Sequence, residues 1–403
     1  MQHFSVIQSI VRAALAQDAV AVRKQVGRLK ERLAKDGDDK DVAALERLLA
    51  SADETQEMAP SRVEVSRALI AGEKLTRETN PPIDRETGAR LCSIDFPATD
   101  VVRPVYGPAV EATINGLLEE WLNAGRLNAV GVEPTRSLLI YGSPGSGKTL
   151  TAHYIAQRMG LPLVTARIDG LISSFLGTTA RNIANLFDFA NRYQCLLLLD
   201  EFDALAKLRD DPQEVGEIKR VVNTLLQNLD TRRVHGITIA ITNHDRLLDP
   251  AVWRRFETHI NIGEPSAHAR EQLIARFLKP VPADEPIVRI FSYCLEGQSG
   301  ADLERTCASV KRALALSDDS HSGPGLFHAL SLVLARSPDK DHAPARVLAK
   351  DRDAFISLIA NDPDFSLKQA EIGEATGYGQ SRVSDLKKAK RHLALTEGGA
   401  NAQ

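Results

Sequence analysis

The sequence predicts an α/β fold: a parallel sheet covered by helices on both faces, flanked by all-α modules at the N- and C-terminal ends. Three observations predict it. Between residues 104 and 263, the short apolar runs "SLLIY", "PLVTARI", "CLLLLD" and "ITIAITN" alternate with helical patterns. Strands that are apolar on both faces and separated by helices belong to parallel sheets buried on both sides. A glycine-rich turn follows the first run and opens a helix. Toward both ends of the chain the apolar spacing becomes helical.

The 403 residues suffice for two or three domains. Hydrophobic residues at 43% and charged residues at 26% are ordinary values for a soluble globular protein. A net charge of -3 excludes a chain coated in positive charge for nucleic acid or membranes, while leaving room for local basic patches. No apolar run approaches the ~20 residues that span a bilayer, so no membrane partner is expected. The start "MQHFSVIQSIVRAALA" lacks a basic segment and carries Gln8 and Arg12 among its apolar residues, unlike a signal peptide. Cys92, Cys195, Cys294 and Cys307 form no C-x-x-C pair. They read as reduced and structural, in a cytoplasmic protein.

Residues 1–52 read as a helical hairpin or bundle. Phe4, Ile7, Ile10, Val11 and Ala14 mark one helix face, Val22, Val26, Leu29 and Leu33 a second, and Val42, Leu45, Leu48 and Leu49 a third. Such a module serves packing and oligomerisation or recruits a protein partner. Residues 53–103 read as a linker with one short helix at Val65–Leu75, because Pro60, "NPPID" and "FPATD" break longer elements. The α/β region follows at 104–263, a wholly helical region at 264–336 and, after the polar break "RSPDKDHAP", a third helical region at 345–395.

Gly142-Ser143-Pro144-Gly145-Ser146-Gly147-Lys148-Thr149 fits the pattern G-x-x-x-x-G-K-[ST], between a strand and a helix as that pattern requires. The glycines let backbone N–H groups surround phosphate oxygens, and the helix N-terminus adds partial positive charge. Lys148 would neutralise the β and γ phosphates, and the Thr149 hydroxyl would ligate Mg²⁺. "CLLLLDEFDAL" ends a strand in Asp200 and Glu201 at the edge where open α/β sheets bind ligands. Asp200 would hold Mg²⁺ directly or through water, and Glu201 would orient and polarise the attacking water. Asn243, at the end of "ITIAITN", would reach the γ-phosphate or that water. Arg254 and Arg255, after an "LDPA" turn, are either surface charge or the suppliers of charge to a phosphate on a neighbouring subunit.

The order "GSPGSGKT", "LLLLDEFDAL", "TNHDRLLDPAVWRRFE" and "GQSGADLE" resembles the AAA ATPases. Within them it is similar to the clade of katanin, spastin, the FtsH membrane proteases and the proteasomal ATPases. The resemblance covers roughly residues 100–335 and rests on several motifs in the right order. It implies an AAA+ P-loop sheet over 104–263, a helical lid over 264–336, and ATP with Mg²⁺ as cofactors. It also implies Asn243 as the sensor-1 residue, Arg254 and Arg255 as arginine fingers, and Gly300 and Ala301 close to the nucleotide. The family's usual form is a hexameric ring with ATP at each interface. Phe175-Leu176-Gly177 matches the family's aromatic–apolar–glycine loop, which lines the central pore and grips a protein substrate. Three departures stand out: Ser143 replaces a usual proline, the two finger arginines are adjacent, and Thr178 stands where many relatives carry glutamate.

No H-E-x-x-H occurs among the ten histidines, so the metalloprotease function of the FtsH-like relatives is not expected. Any proteolysis would fall to a separate protease partner. A helical N-terminus with one AAA module also resembles bacterial ATPases encoded beside subtilisin-like serine proteases. "LKQAEIGEATGYGQSRVSDLKKAKRHL" reads as a helix-turn-helix, or as a small helical module for protein contacts. In the first case Gln380, Ser381, Arg382 and Ser384 would open the recognition helix, and Lys387, Lys388, Lys390 and Arg391 would meet phosphates. Two functions therefore stay open. One is an ATP-driven protein unfoldase or remodeller. The other is a DNA-associated ATPase switch, such as a loader or a transposition or regulatory ATPase.

Overall fold

The computed structural model describes residues 26, 29, 72–97, 101–171, 176–203, 215–317, 322–336 and 343–388. The chain divides into two units, Met1–Val63 and Glu64–Gln403. Of the first unit, Val26 and Leu29 are described, both helical and half-buried. The hairpin or bundle expected over 1–52 otherwise lies outside the described residues.

The second unit contains strands β1 (Glu73–Lys74), β2 (Cys92–Asp95), β3 (Ser137–Tyr141), β4 (Leu163–Ala166), β5 (Tyr193–Gln194), β6 (Leu196–Leu199), β7 (Thr238–Thr242) and β8 (Thr258–Asn261). Six of them form one sheet in the order β2-β4-β6-β7-β3-β8. The pairs from β4 to β8 are parallel, and β2 closes one edge antiparallel to β4. β1 pairs with β5 in a separate two-stranded ribbon.

Helices α1 (Pro108–Leu122), α2 (Ala124–Ala129), α3 (Lys148–Met159), α4 (Ile168–Leu171), α5 (Leu176–Arg192), α6 (Val215–His235) and α7 (Pro250–Trp253) connect these strands. The period-two alternation of side chains divides the core into two layers. Leu139, Leu197 and Leu199 face a layer with Ile183, Phe187, Val222 and Leu225 of α5 and α6. Leu138, Ile140, Leu196 and Leu198 face the opposite layer, with Ile114, Trp121, Ala152 and Ile155 of α1 and α3.

Two strands depart from the sequence reading. β2 lies in the segment read as a linker, yet Leu91 and Cys92 are fully buried and Leu91 accepts a hydrogen bond from the Arg167 amide at 2.9 Å. Residues 72–97 therefore belong to the sheet body, and the end of the helix expected at Val65–Leu75 is the strand Glu73–Lys74. β8, "THIN", buries only Ile260 among its four residues, so its sequence carries little strand signal. All four cysteines are free and buried.

After β8 the chain is helical: α8 (Ala267–Leu278), α9 (Glu285–Cys294), α10 (Gly300–Ala315), α11 (Gly323–Arg336), α12 (Ala343–Lys350), α13 (Arg352–Asn361), α14 (Gln369–Thr376) and a last helix, α15, at 380–388. The sequence reading separates a lid from a C-terminal module near residue 340. The structure joins them: Ile274, Phe291, Cys307, Leu326, Phe327, Phe355, Ile372, Ala375 and Val383 share one hydrophobic core. Packing is close enough that a Cβ on Gly323 would lie 3.2 Å from the Ala375 carbonyl oxygen. The shared burial overrides the polar break because the apolar faces of α14 and α15 have the lid helices as their partner. No helix among the described residues is long and apolar enough to cross a membrane.

Ile372→Ala should destabilise the whole helical body by about 2–5 kcal/mol, the range for a buried Ile truncated to Ala. Hydrogen exchange should then quicken at the amides of α10 and α11 as well as α14. Exchange confined to α14 and α15 would mean two separate modules.

Candidate functional site

The parallel strands direct their carboxyl ends to one edge, where Gly142, Asp200 and Asn243 directly follow β3, β6 and β7. Two glycines fix the loop after β3. Gly142 sits at φ 144°, and a Cβ there would lie 2.0 Å from the Ile262 carbonyl oxygen. Gly145 sits at φ 75°, and a Cβ there would lie 2.7 Å from Ser299 Oγ and 2.9 Å from Ala301 Cβ. The loop thus touches the start of α10, whose Ala301 amide donates to the Gly145 carbonyl at 3.1 Å.

Lys148 opens α3 and is 5% exposed. Its Nζ donates to the Gly142 and Ser143 carbonyls at 3.0 and 2.8 Å. Burial pushes its ammonium below the usual lysine range, while Asp200 and Asp203 oppose that shift. Thr149 Oγ1 donates to Asp200 Oδ2 at 2.8 Å, so the two expected Mg²⁺ ligands meet across 51 residues of chain. Asp200 Oδ1 accepts from the Glu201 amide at 2.9 Å. Glu201 takes a left-handed backbone, φ 50°, rare for a residue with a side chain. Such local strain concentrates at functional sites.

Gly145, Lys148, Thr149, Asp200 and Glu201 line a cavity of about 620 Å³, together with Pro144, Asn243, Gly300 and Ala301. Several lining residues escape sequence reasoning. Val102, Pro104, Val105 and Tyr106 come from the junction of the presumed linker and the α/β region, and Leu273, Arg276 and Phe277 from α8. They give the cavity an apolar end suited to a flat base. Arg276 Nη1 ties α8 to the Arg103 carbonyl at 2.7 Å, and the Tyr106 hydroxyl donates to Thr151 Oγ1 at 3.0 Å. Asp203 and Thr242 were also missed. Thr242 Oγ1 donates to Asp203 Oδ1 at 3.0 Å in a buried contact beside Glu201 and Asn243. The second Asp of "DEFD" is the signal that could have found this contact.

Arg254 and Arg255 do not line the cavity of their own chain; both are exposed, just after α7. Arg255 pairs with Asp230 at 3.4 Å, and its carbonyl accepts from Ser137 Oγ and Arg233. Arg254 forms no ion pair among the described residues. Phe175 lies outside the described residues. Leu176 and Gly177, expected in a loop, form the first turn of α5, so that helix begins earlier than "ARNIANLFDFANRY". Nearby Thr178 is buried, and its hydroxyl donates to Glu86 Oε1 at 2.9 Å, holding this turn against the 81–91 segment.

The expected helix pair near the C-terminus is present as α14, a left-handed Gly377 cap and α15. Gln380, Ser381, Arg382 and Lys388 are exposed, whereas Ser384 and Lys387 are half-buried. Arg382 is held by Asp353 at 2.6 Å. Tyr378 and Arg382 hold the Asp353 carboxyl below its usual range. Lys390 and Arg391 lie outside the described residues.

The donor set fits a nucleoside triphosphate with a hard cation. The Ser143 and Ser146 hydroxyls are buried in the phosphate loop with no partner among the described residues, beside the Lys148 ammonium. Thr149 and Asp200 offer two oxygen ligands. Mg²⁺ is held by one or two such ligands plus phosphates rather than by a full protein cage. Thr242→Val removes the buried donor to Asp203 at little change in volume. It should lower ATP turnover about tenfold, equivalent to ~1.4 kcal/mol, with nucleotide affinity nearly unchanged. Steady-state turnover beside titration of a fluorescent ADP analogue checks this. Gly142→Ala should abolish that binding, because the opposing atom is backbone.

Residues 138–264 match the family described as "ATPase family associated with various cellular activities (AAA)". An uncharacterized AAA family ATPase of Sinorhizobium fredii is 42% identical over 204 residues, 50% of this chain and 61% of that protein. The ATP-dependent zinc metalloprotease FtsH 1 of Symbiobacterium thermophilum is 33% identical over 338 residues, 78% of this chain and 54% of that protein. The proteasome-activating nucleotidase of Methanocella arvoryzae is 32% identical over 206 residues, 48% and 49% of the two chains. The chain thus spans less than two thirds of each of these relatives. With the phosphate loop, the paired Thr149 and Asp200, and this match converging on one cavity, the chain carries an AAA ATPase domain, the kind that hydrolyses ATP.

Proposed function

We propose that the protein is an Mg²⁺-dependent ATPase that works as a ring, a hexamer, and uses ATP hydrolysis to unfold or remodel protein substrates. The observation that carries the reading is the division of charges. Lys148, Thr149, Asp200, Glu201 and Asn243 gather around one cavity, while Arg254 stands exposed and unpaired among the described residues, outside it. A phosphoryl-transfer site needs more positive charge in its transition state than one lysine supplies. An exposed arginine on the sheet's rim suits supply to the next subunit.

In this reading Lys148 and the loop amides bind the phosphates, and Thr149 and Asp200 hold the Mg²⁺. That ion, when bound, offsets the negative charge that develops on the phosphate oxygens. Glu201 orients the attacking water and accepts its proton. Asn243, braced through Thr242 and Asp203, fixes that water or the γ-phosphate. Arg255, anchored to Asp230, shapes the turn that presents Arg254. Phe175 would grip an extended peptide in the central pore, and the 1–52 module would recruit substrate.

The names of relatives support the protein-directed reading: one activates a proteasome and one is an ATP-dependent protease. This sequence lacks H-E-x-x-H, so cleavage would fall to a separate protease. The exposed Gln380 and Ser381 beside a glycine turn favour the DNA-associated reading, but Arg382 is already engaged by Asp353. A cytoplasmic location accords with both readings.

Arg254→Ala should lower turnover at least a hundredfold, within the range arginine fingers contribute. Arg255→Ala should lose less. Turnover that survives Arg254→Ala unchanged sinks the ring mechanism. In the same assay, an unfolded protein should raise the wild-type ATPase rate and duplex DNA should not. Stimulation by DNA alone would reverse the choice of substrate.

A further inference from the structure

An aromatic stack joins the phosphate loop to the arginine turn. Tyr141 ends β3 and immediately precedes Gly142. Its ring meets Trp253 edge-on, with centroids 5.4 Å apart and planes at 64°. Trp253 also stacks on His259 of β8, at 4.3 Å and 8°. His259 Nε2 lies 3.1 Å from the Trp253 carbonyl oxygen. Trp253 closes α7, a single turn capped by Asp249, which accepts from the Ala251 amide at 2.6 Å. The next residue is Arg254.

Neither Trp253 nor His259 lines the nucleotide cavity. Trp253 packs on the margin of the core but is not the main anchor of its turn there. Val252 at 1% and Phe256 at 3% exposure anchor it on either side, and Trp253 is half-buried. Its place between Tyr141 and His259 is therefore unexplained by nucleotide binding and only partly explained by packing.

The start of the phosphate loop has no slack. Gly142 packs on the Ile262 carbonyl, and the Ile262 amide donates to the Tyr141 carbonyl at 2.8 Å. Displacement of the loop must therefore move Tyr141, the end of β8, or both. Each bears on Trp253. Aromatic pairs prefer edge-to-face and offset-stacked geometries, so a ring held by two partners responds to their movement by settling into another arrangement. Packed contacts of this kind switch between discrete states rather than deform continuously.

We propose that Trp253 is a positioning residue that couples the phosphate loop of its own subunit to the orientation of Arg254, offered to the next subunit. The proposal rests on the trans-acting reading of Arg254 given above. Nucleotide bound in one subunit thereby sets how well that subunit supports hydrolysis in its neighbour.

The chain has two tryptophans, and the other, Trp121, is fully buried with its Nε1 donating to the Thr135 carbonyl. The emission of the wild type minus that of Trp253→Phe therefore isolates Trp253. This difference should change when ADP with Mg²⁺ is added, and should stay constant in a Lys148→Ala background. A nucleotide-indifferent signal overturns the proposal, and this arm needs no severe variant to fold. Trp253→Ala should lower kcat about tenfold while affinity for a fluorescent ADP analogue stays within about twofold, and Trp253→Phe should restore most of the turnover. Normal turnover in Trp253→Ala beside a loss in Arg254→Ala overturns the coupling alone. Normal turnover in Arg254→Ala overturns the trans reading itself.

Discussion

The hydrogen bond from Thr149 to Asp200 is the contact on which the arrangement depends. These residues follow β3 and β6, which are not neighbours: β7 lies between them. The bond exists because all three strands run parallel and end at one edge. That parallel order in turn requires helical crossovers and burial of both sheet faces. The same edge holds Asn243 at the end of β7, so a nucleotide's phosphates and an attacking water would meet groups from three strands at once. None of these groups is adjacent in sequence, and the sheet alone brings them together.

The chemistry was more legible than the architecture around it. "GSPGSGKT" and "LLLLDEFDAL" announce themselves because backbone curvature around phosphates demands glycine and a buried apolar strand tolerates carboxylates only at its exposed tip. The strands β2 and β8 were not legible. Cys92–Asp95 is short, sits among prolines and pairs antiparallel, while Thr258–Asn261 hides a single apolar residue. Strand identity there comes from the neighbour's hydrogen bonds, which a local pattern cannot encode. The apolar end of the cavity was equally hidden. Val102, Leu273 and Phe277 look like any core residues until tertiary packing places them beside the loop.

The boundary between the lid and the last helices misled the sequence reading for a different reason. "RSPDKDHAP" has the composition of a linker, and composition reports local solvation. Whether two helical segments share a core depends on where their apolar faces point. Here Ile372, Ala375 and Val383 point into the cluster around Phe327 and Phe355. Charge in sequence has a similar limit: Arg382, expected to open a recognition helix, is paired with Asp353.

That common core has a mechanical side. α10 begins against Gly145 and lays Leu303, Cys307, Val310 and Leu314 along the helical body, while α14 and α15 insert Ile372, Ala375 and Val383 into the same mass. A lever stiffened along its length carries torque without bending. Whatever docks on the outer helices would therefore weigh on the far end of a beam whose other end rests on the phosphate cradle.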